Sequence, residues 1–242
     1  MTAQIKGCKI LVLNLARSPD RSARMEKSLS KLNVAYEFAD ATDGNALSAD
    51  DYAKYSEPLA NKVSGRPLSK GEIGCSLSHL KLYERLLESK DECYLILEDD
   101  VDIGIMLLEA LKQREHFPHD WVFINFMTDK KGVAFGEPIF DIYRMTRFPG
   151  RVNRTSVNLV NRKGAKKLLS FAYPIRLPAD GLTGRIEMTG LICYGVQPPL
   201  AVLHDVETTI LNRTDANWRY RWNKRLKHWF KFAQGKMGRA LS

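Results

Sequence analysis

Short runs of consecutive apolar residues recur along this chain, and segments with helical periodicity separate them. The runs from Lys9 to Leu15 and from Cys93 to Leu97 are the clearest, because polar or turn-forming residues bound each of them. Continuous apolar runs of this length are typical of strands buried on both faces of a helix-covered sheet. The pattern therefore predicts an α/β fold. Further strands are predicted near residues 35–39, 121–126, 155–160, 191–196 and 200–203.

Periodic apolar positions predict four helices between these strands, and Ser76 is the expected N-cap of the second one. The helices are predicted at residues 22–32, 76–89, 105–114 and 162–170. The β-α-β order of the first elements favours a largely parallel sheet. No internal repeat or low-complexity linker interrupts the chain, so a single catalytic domain over residues 1–211 is expected.

Three connecting segments lack the regular spacing of apolar residues that indicates a helix or a strand. Residues 46–70 contain Pro58, Gly65 and Pro67, and we expect irregular structure or short helices there that form a movable flap over the sheet edge. Residues 127–150 are rich in turn-forming and aromatic residues, which favours a small β-hairpin or contacts to an acceptor. Residues 178–181 are expected to form a sharp turn.

The strand predicted at residues 93–97 ends in four carboxylates within five positions: Glu98, Asp99, Asp100 and Asp102. In open α/β proteins ligands bind at the carboxyl ends of the strands. Carboxylates this close repel one another unless a cation or a proton intervenes, and Mg²⁺ or Mn²⁺ prefers oxygen ligands. Acids in this position also cap helices or face water, so the metal interpretation needs further support.

Composition and charge favour a globular protein over a membrane-spanning or secreted one. The apolar content of 44% is that of a globular protein, and no apolar stretch is long enough to span a membrane. No signal-peptide pattern is present at the N-terminus, so we expect the protein to remain in the cytoplasm. The net charge is +9, and residues 212–242 contain nine Lys or Arg against one acid, which leaves 28 basic and 27 acidic residues elsewhere.

Residues 212–242 form a basic and aromatic tail. Its aromatic positions follow helical spacing on one face, with basic residues mostly on the other. This pattern predicts an amphipathic helix that contacts an anionic membrane surface, where tryptophans lie at headgroup depth. A helix packed on the domain with a solvated basic side is the alternative. The residues on the apolar face are Trp218, Trp222, Leu226, Trp229 and Phe230.

The four cysteines, Cys8, Cys75, Cys93 and Cys193, show neither CxxC nor zinc-site spacing. Buried thiols in a reducing compartment explain this distribution better than disulfides or a metal cluster. Cys75 lies four residues before His79, yet catalytic pairs of this kind are usually assembled across a fold rather than along one helix. The sequence therefore gives little support to Cys75 as a nucleophile.

Several sequence blocks occur together in a characteristic order. They are Leu13-Asn14-Leu15 with Arg17-Ser18-Pro19-Asp20-Arg21, then Asp43-Gly44, Gly71-Glu72-Ile73-Gly74-Cys75 with Leu77-Ser78-His79, Leu97-Glu98-Asp99-Asp100-Val101, Gly164-Ala165 before Leu168-Leu169, and Pro178 with Asp180. Over about residues 9–205 the chain resembles family 25 glycosyltransferases. These are bacterial lipooligosaccharide and lipopolysaccharide core transferases that are related to collagen galactosyltransferase domains.

The resemblance implies a GT-A-type, Rossmann-like mixed sheet flanked by helices, and the basic tail helix lies outside the shared blocks. It also implies a nucleotide-sugar donor, most often UDP-galactose, and inversion at the sugar carbon. Glu98-Asp99-Asp100 then stands at the place of the DxD metal motif. Asp100-Val101-Asp102 offers a second DxD, so Asp100 belongs to both alternatives.

In this interpretation Asp100 is the first expected ligand of Mn²⁺ or Mg²⁺, which neutralises charge on the leaving diphosphate. Glu98, Asp99 or Asp102 would assist directly or through water. His204 follows the last predicted strand and is a further expected ligand, although a lone histidine there more often faces solvent or forms a hydrogen bond.

Inversion requires a base on the acceptor hydroxyl. Asp180 is the first choice and Glu72 the second; Glu72 would alternatively hold the flap or a sugar hydroxyl. An Asx-turn or helix-cap role explains Asp180 about equally well.

The donor is expected over the ends of the first strands, where an arginine can contact base or phosphate with a forked pair of hydrogen bonds. The residues expected to contact it are Asn14, Arg17, Arg21, Ser78, His79 and Asp99. Simple ion pairing by the arginines and packing of His79 within its helix remain the alternatives for those residues.

The predicted function is thus extension of a lipid-linked glycan at the inner face of the bacterial inner membrane. Two alternatives remain. A nucleic-acid-binding protein would use the basic aromatic tail, where aromatic side chains could stack on bases. Another metal-dependent enzyme of nucleotide sugars, such as a nucleotidyltransferase, would be expected to have a glycine-rich, lysine-containing loop after the first strand. Ala16-Arg17-Ser18-Pro19 stands there instead.

Overall fold

The computed structural model describes residues 2–128, 130 and 132–203. His204 and the tail helix predicted within residues 212–242 lie outside these residues. The strands are β1 Cys8–Asn14, β2 Glu37–Asp40, β3 Cys93–Glu98, β4 Val101–Ile103, β5 Phe123–Asn125, β6 Val133–Phe140, β7 Tyr143–Arg147, β8 Val157–Asn161, β9 Cys193–Gln197 and β10 Ala201–Leu203. The helices are α1 Pro19–Lys31, α2 Ala49–Ala53, α3 Glu57–Ser64, α4 Lys70–Glu88, α5 Ile105–Lys112, α6 Arg162–Ala172, α7 Ala179–Gly184 and α8 Ile186–Thr189.

Eight strands form one mixed sheet in the order β2-β1-β3-β8-β5-β9-β7-β6, and β10 pairs with β4 in a separate ribbon. The strands β2, β1 and β3 are parallel, whereas β8 runs antiparallel to both of its neighbours. The strands β6 and β7 form the hairpin that the composition of residues 127–150 favours. The predicted α/β fold with a mixed sheet between helices is confirmed, whereas the parallel pairing that the β-α-β order favours is limited to β2-β1-β3 and the pair β5-β9.

Alternate side chains of the central strands enter two separate apolar cores. In β1, Ile10 and Val12 contribute to the core beneath α1 and α5, while Leu11 and Leu13 contribute to the core beneath α4 and α6. The strand period of two sends successive side chains to opposite faces. Helices cover both faces, so the middle positions of β1 and β3 are consecutively apolar, and this explains the continuous runs in the sequence.

The structure corrects two boundaries near the polar residues of interest. The helix expected from Ser76 begins six residues earlier at Lys70, because the Ser69 side chain accepts a hydrogen bond from the Glu72 amide and the Glu72 carboxylate accepts one from the Ser69 amide. This reciprocal capping box satisfies amides that would otherwise lack partners. The sharp turn expected at residues 178–181 is instead the start of helix α7, which Pro178 precedes.

No described helix is long and apolar enough to cross a membrane.

Candidate functional site

The parallel strands β1 and β3 end at the same edge of the sheet, and a cavity of about 380 Å³ opens there. Asn14 is the last residue of β1 and Glu98 the last of β3, and Asp99 and Asp100 follow directly. Adjacent parallel strands bring their carboxyl ends together, so polar residues 84 positions apart in sequence become neighbours. Three acids of the sequence cluster, Glu98, Asp99 and Asp100, therefore line a cavity.

The first turns of α4 form the opposite wall. A Cβ atom on Gly74 would lie 2.6 Å from the Thr42 carbonyl oxygen and 2.8 Å from the Gly44 amide nitrogen, so only glycine allows this approach. The Ser78 hydroxyl accepts a hydrogen bond from the Thr42 amide at 2.8 Å. Helix α4 and the loop after β2 are thereby locked together, which holds the N-terminus of α4 at the cavity.

Asp99 is held on both of its carboxylate oxygens. The Asn14 side-chain amide donates to Oδ2 at 2.7 Å, and the Arg21 guanidinium donates to Oδ1 at 2.8 Å. The arginine side chain is 12% exposed and that of Asp99 is 9% exposed. A charge-assisted contact with this little exposure fixes the orientation of the carboxylate. Asp99 therefore joins α1 to the ends of β1 and β3.

Glu98 is also surrounded by partners. His79 Nε2 lies 3.1 Å from Glu98 Oε1, Thr155 Oγ1 donates to the same oxygen at 3.2 Å, and Ser156 Oγ donates to Oε2 at 2.9 Å. Burial alone would raise the pKa of Glu98, but His79 and the two hydroxyl groups lower it below its usual value. Glu98 is thus an ionised, firmly oriented carboxylate.

Asp100 differs from both neighbours. Its Oδ1 atom is buried without a hydrogen-bond partner among the described residues, and Arg21 is 3.9 Å from Oδ2. Burial, followed by the negative charge of Glu98, raises the pKa of Asp100 to about 6, and Arg21 only partly opposes this. An under-coordinated carboxylate in a cavity of negative charge is suited to binding a cation.

Asp102 does not join this group. It lies in β4 opposite Val202 of β10 and is not among the residues that line the cavity. The alternative pair of metal ligands Asp100 and Asp102 is therefore less well supported by the geometry than the set that includes Glu98. His204 lies outside the described residues.

The two predicted donor-binding arginines occupy different environments. Arg17 lines the cavity and forms a forked contact with Asp43 at 2.7 and 3.3 Å. Its side chain is 46% exposed, so the pair is a surface interaction that a bound anion can rearrange. Arg21 is instead committed to Asp99. Ser78 and His79 also line the cavity, although the Ser78 hydroxyl already bonds to Thr42 and to the Gly74 carbonyl.

The two predicted bases are placed unequally. Both carboxylate oxygens of Glu72 contact the Arg66 guanidinium, at 2.5 and 2.7 Å, and Glu72 also caps α4. Asp180 is half-buried near the start of α7. The pKa of Arg66 is raised mainly by its hydrogen bond to Glu72, and the pKa of Cys75 mainly by burial; the charge of Asp180 adds to both shifts. The geometry therefore favours Glu72 as the residue that holds the segment before α4, and leaves Asp180 as the base prediction.

Several residues of the site were not identified from the sequence. Thr155 and Ser156, before β8, reach Glu98 only because β8 pairs antiparallel with β3, and no local signal indicates that pairing. Asp43 and Asn45 line the cavity from the loop after β2, and the Asp-Gly turn signal there could have identified them. Cys75 also lines the cavity. Burial and nearby carboxylates raise the pKa of its thiol well above the usual value, which agrees with an unreactive thiol.

Residues 8–183 match the profile of a family described as glycosyltransferase family 25 (LPS biosynthesis protein). Procollagen galactosyltransferase 1 of Danio rerio is 31% identical over 190 residues, which cover 71% of this chain and 30% of that protein. A Bos taurus protein named probable inactive glycosyltransferase 25 family member 3 is 29% identical over 191 residues, with the same two shares. The chain spans less than a third of the length of these curated relatives.

One solved structure, of a glycosyltransferase involved in the glycosylation of the major capsid of PBCV-1, is 11% identical, with a TM-score of 0.33. The similarity covers 68% of this chain and 66% of that chain. It is too low to carry an argument about the site.

Proposed function

The chain belongs to glycosyltransferase family 25, and we propose that it transfers galactose from UDP-galactose, with inversion, to a hydroxyl of a lipooligosaccharide or lipopolysaccharide core. The observation that carries this proposal is the buried Oδ1 atom of Asp100, which has no hydrogen-bond partner among the described residues, in a cavity at the carboxyl edge of β1 and β3. The relative named procollagen galactosyltransferase supports the sugar, and the family description supports the acceptor.

The residues at the cavity fit a hard divalent cation, Mn²⁺ or Mg²⁺. Asp100 would hold it, because its carboxylate is the one that the described residues leave incompletely bonded. Glu98, two residues earlier, would contribute negative charge, and Asp102 and His204 remain proposed further ligands. When bound, such a cation neutralises charge on a leaving diphosphate.

The protein itself supplies positive potential for the diphosphate. Arg17 and Lys70 line the cavity, and so do Ser69 and Gly71 at the start of the 19-residue helix α4. A helix N-terminus directs amide groups and a partial positive charge toward bound anions. We place the diphosphate between these groups and Asp100, with Arg17 exchanging its contact with Asp43 for a phosphate oxygen. Asn14, Arg21 and Asp99 then act as the rigid support of this arrangement.

Asp180 is the proposed base that takes the proton of the acceptor hydroxyl. It lies on α7, on the α4 side of the sheet, close enough to Arg66 and Cys75 to change their pKa values. A base separated from the leaving diphosphate suits an attack on the opposite face of the sugar. Glu72, the second choice, would have to leave Arg66 to serve in this role. We therefore assign it to holding the segment before α4.

Contact with an anionic membrane surface through residues 212–242 is proposed from the sequence pattern alone, since the tail lies outside the described residues. A lipid-linked acceptor makes such contact useful, because the tail would hold the enzyme near its substrate. The expected location is the inner face of the bacterial inner membrane. Binding of the full chain to anionic vesicles, compared with a chain ending at residue 211, tests this part.

The test of the proposed function is release of UDP from a panel of UDP-sugars, with Mn²⁺ and after its removal by a chelator. We expect UDP-galactose to be hydrolysed slowly in the absence of acceptor, only with the cation, and faster when a lipooligosaccharide core acceptor is added. Analysis of the glycoside by NMR then gives the configuration of the new bond. Failure of every UDP-sugar to bind at any cation concentration would refute the proposal.

A further inference from the structure

Three side chains with different metal-binding atoms meet behind the acidic end of β3. Cys75 and His79 lie one turn apart on α4, and Glu98 is the last residue of β3. The Cys75 sulfur, one imidazole nitrogen of His79 and one carboxylate oxygen of Glu98 all lie within 4.8 Å of one another. Residues four apart share a face of a helix, so α4 itself holds the thiol and the imidazole side by side.

We propose that Cys75, His79 and Glu98 form a binding site for a thiophilic divalent cation of the zinc class. Sulfur, imidazole nitrogen and carboxylate oxygen are the three ligand types that zinc uses in proteins. Bonds of about 2.0–2.3 Å place two ligand atoms of a tetrahedral site roughly 3–4 Å apart. His79 Nε2 and Glu98 Oε1, at 3.1 Å, already have this spacing. A small rotation of the Cys75 side chain would bring the sulfur to the same cation.

The site has an entrance and an open coordination position. Cys75, His79 and Glu98 all line the cavity of about 380 Å³, so a cation can arrive from the cavity. Three protein ligands leave the fourth tetrahedral position for water or for an oxygen of a bound ligand. This distinguishes the cluster from a closed structural site, in which four side chains surround the ion.

The surroundings of the three ligands favour binding. Thr155 and Ser156 donate hydrogen bonds to Glu98 at 3.2 and 2.9 Å, and such outer contacts orient metal-binding carboxylates.

Binding exchanges a proton for the cation. The Cys75 thiol has its pKa raised, first by burial and then by Glu98, Asp180 and Asp100, so it is protonated when no cation is present. On binding, the S–H bond breaks, the sulfur forms a bond to the cation, and the proton passes to solvent. The oxygen ligands at Asp100 suit Mg²⁺ or Mn²⁺, whereas thiolate and imidazole select zinc. Glu98 is common to both sites, whereas the assignment of Cys75 and His79 as cation ligands does not depend on the transfer reaction proposed above.

Titration of the full chain with Cd²⁺ tests the site, because a cadmium–thiolate bond adds a charge-transfer band in the ultraviolet that can be followed as a difference spectrum. We expect one equivalent of Cd²⁺ to produce this band and to release about one proton at neutral pH. Cys75→Ser should lose both signals, whereas Cys193→Ser, which changes a thiol that is buried in β9, should keep them. Absence of the band in the wild type, or its persistence in Cys75→Ser, would overturn the proposal.

A second measurement needs no variant and so does not depend on correct folding of Cys75→Ser. X-ray absorption at the zinc edge of the zinc-loaded wild type should show one sulfur ligand with nitrogen or oxygen neighbours. Two sulfur ligands would instead indicate Cys8 and Cys93, which are register partners in β1 and β3. Either that result or a site without sulfur contradicts the assignment. Neither readout depends on turnover of a UDP-sugar, so its failure is distinguishable from failure of the proposed function.

Discussion

Carboxylates occupy two contrasting environments in this protein. On the edge strand β2, Glu37 contacts Lys9 and Arg85, each at 2.6 Å, and its pKa falls to about 2, first because of the Arg85 hydrogen bond. At the cavity, the pKa of Asp100 rises to about 6. The charge of Glu37 is balanced by its two basic partners, whereas the described residues only partly balance the charge of Asp100. Carboxylates with a raised pKa in a cavity are candidates for function rather than for stability.

Removal of the Asp100 charge should have the largest effect, and that effect is on turnover. Asp100→Asn keeps the shape of the side chain but removes its charge, so we expect cation-dependent hydrolysis of the UDP-sugar to fall by about 10²–10³-fold. Glu109→Gln on α5, which removes a carboxylate paired with Lys112, is the matched control and should retain the wild-type rate. A rate for Asp100→Asn within a few-fold of the wild type would place the essential carboxylate elsewhere.

The next effect is on the packing that shapes the cavity wall. Gly74→Ala would place a Cβ atom 2.6 Å from the Thr42 carbonyl oxygen, so α4 must move away from the loop after β2. We expect a loss of roughly 1–3 kcal/mol in the free energy of unfolding, measured by urea denaturation, together with weaker UDP binding. Gly104→Ala has no atom within 4 Å of the added Cβ and should leave UDP binding unchanged. Equal UDP binding by both variants would contradict the role given to this contact.

The ionised carboxylate of Asp100 should also lower the free energy of unfolding when no cation is bound. Its folded-state pKa of about 6 lies above the ordinary value of 3.8, so the folded protein holds a proton that the unfolded chain has released between these pH values. Stability from this group is therefore present at low pH and declines as pH rises through about 6. At pH 7.5 we expect the free energy of unfolding of Asp100→Asn to be higher than that of the wild type by roughly 1–2 kcal/mol. Urea denaturation measures this difference. A less stable variant would refute the unfavourable charge assigned to this position.

The same pKa predicts a pH dependence for the reaction. Protonation of Asp100 competes with cation binding, so the cation concentration needed for half-maximal UDP release should rise as pH falls below about 6. Titrations with Mn²⁺ at pH values from 5 to 8 provide the measurement. A requirement that does not change over this range would show that Asp100 is not the titrating ligand.

The smallest effect belongs to the paired region. The Glu37 side chain is 38% exposed, so solvent screens its contacts with Lys9 and Arg85. Glu37→Gln should lower the free energy of unfolding by less than about 1 kcal/mol at pH 7 and leave UDP release unchanged. The low folded-state pKa means that this contribution is present above about pH 4.5 and is lost as pH falls toward 2. A large change in UDP release would contradict the purely structural role of Glu37.

The sequence predicts the structure best where the residues that matter are neighbours along the chain. The apolar run before Glu98 predicted both β3 and the place of its acids, because a buried strand and the residues that follow it are adjacent in the chain. The sequence pattern places the start of α4 at Ser76, six residues too late, because Gly71 and Gly74 reduce the helical signal. The capping box of Ser69 and Glu72 marks the observed start. The contact of Gly74 with Thr42 depends on tertiary packing and has no local signature.

The partners of the acids could not be predicted for the same reason. Nothing near Glu98 indicates that His79, Thr155 and Ser156 reach its carboxylate, since α4, β3 and the segment before β8 meet only in the folded sheet. The distinction between Asp99, which is fully held, and Asp100, which is not, also arises from these contacts. The sequence therefore indicates which residues are available for the chemistry, and the fold indicates which of them has an unsatisfied charge.

The most direct test of the account is the binding of Mn²⁺ in the presence of UDP, followed by electron paramagnetic resonance of the free ion. We expect the wild type to bind Mn²⁺ and UDP cooperatively, Asp100→Asn to lose this binding, and Asp102→Asn to be affected much less. If Asp100→Asn binds Mn²⁺ and UDP as tightly as the wild type, the cavity at the end of β3 is not the donor site and the central claim fails.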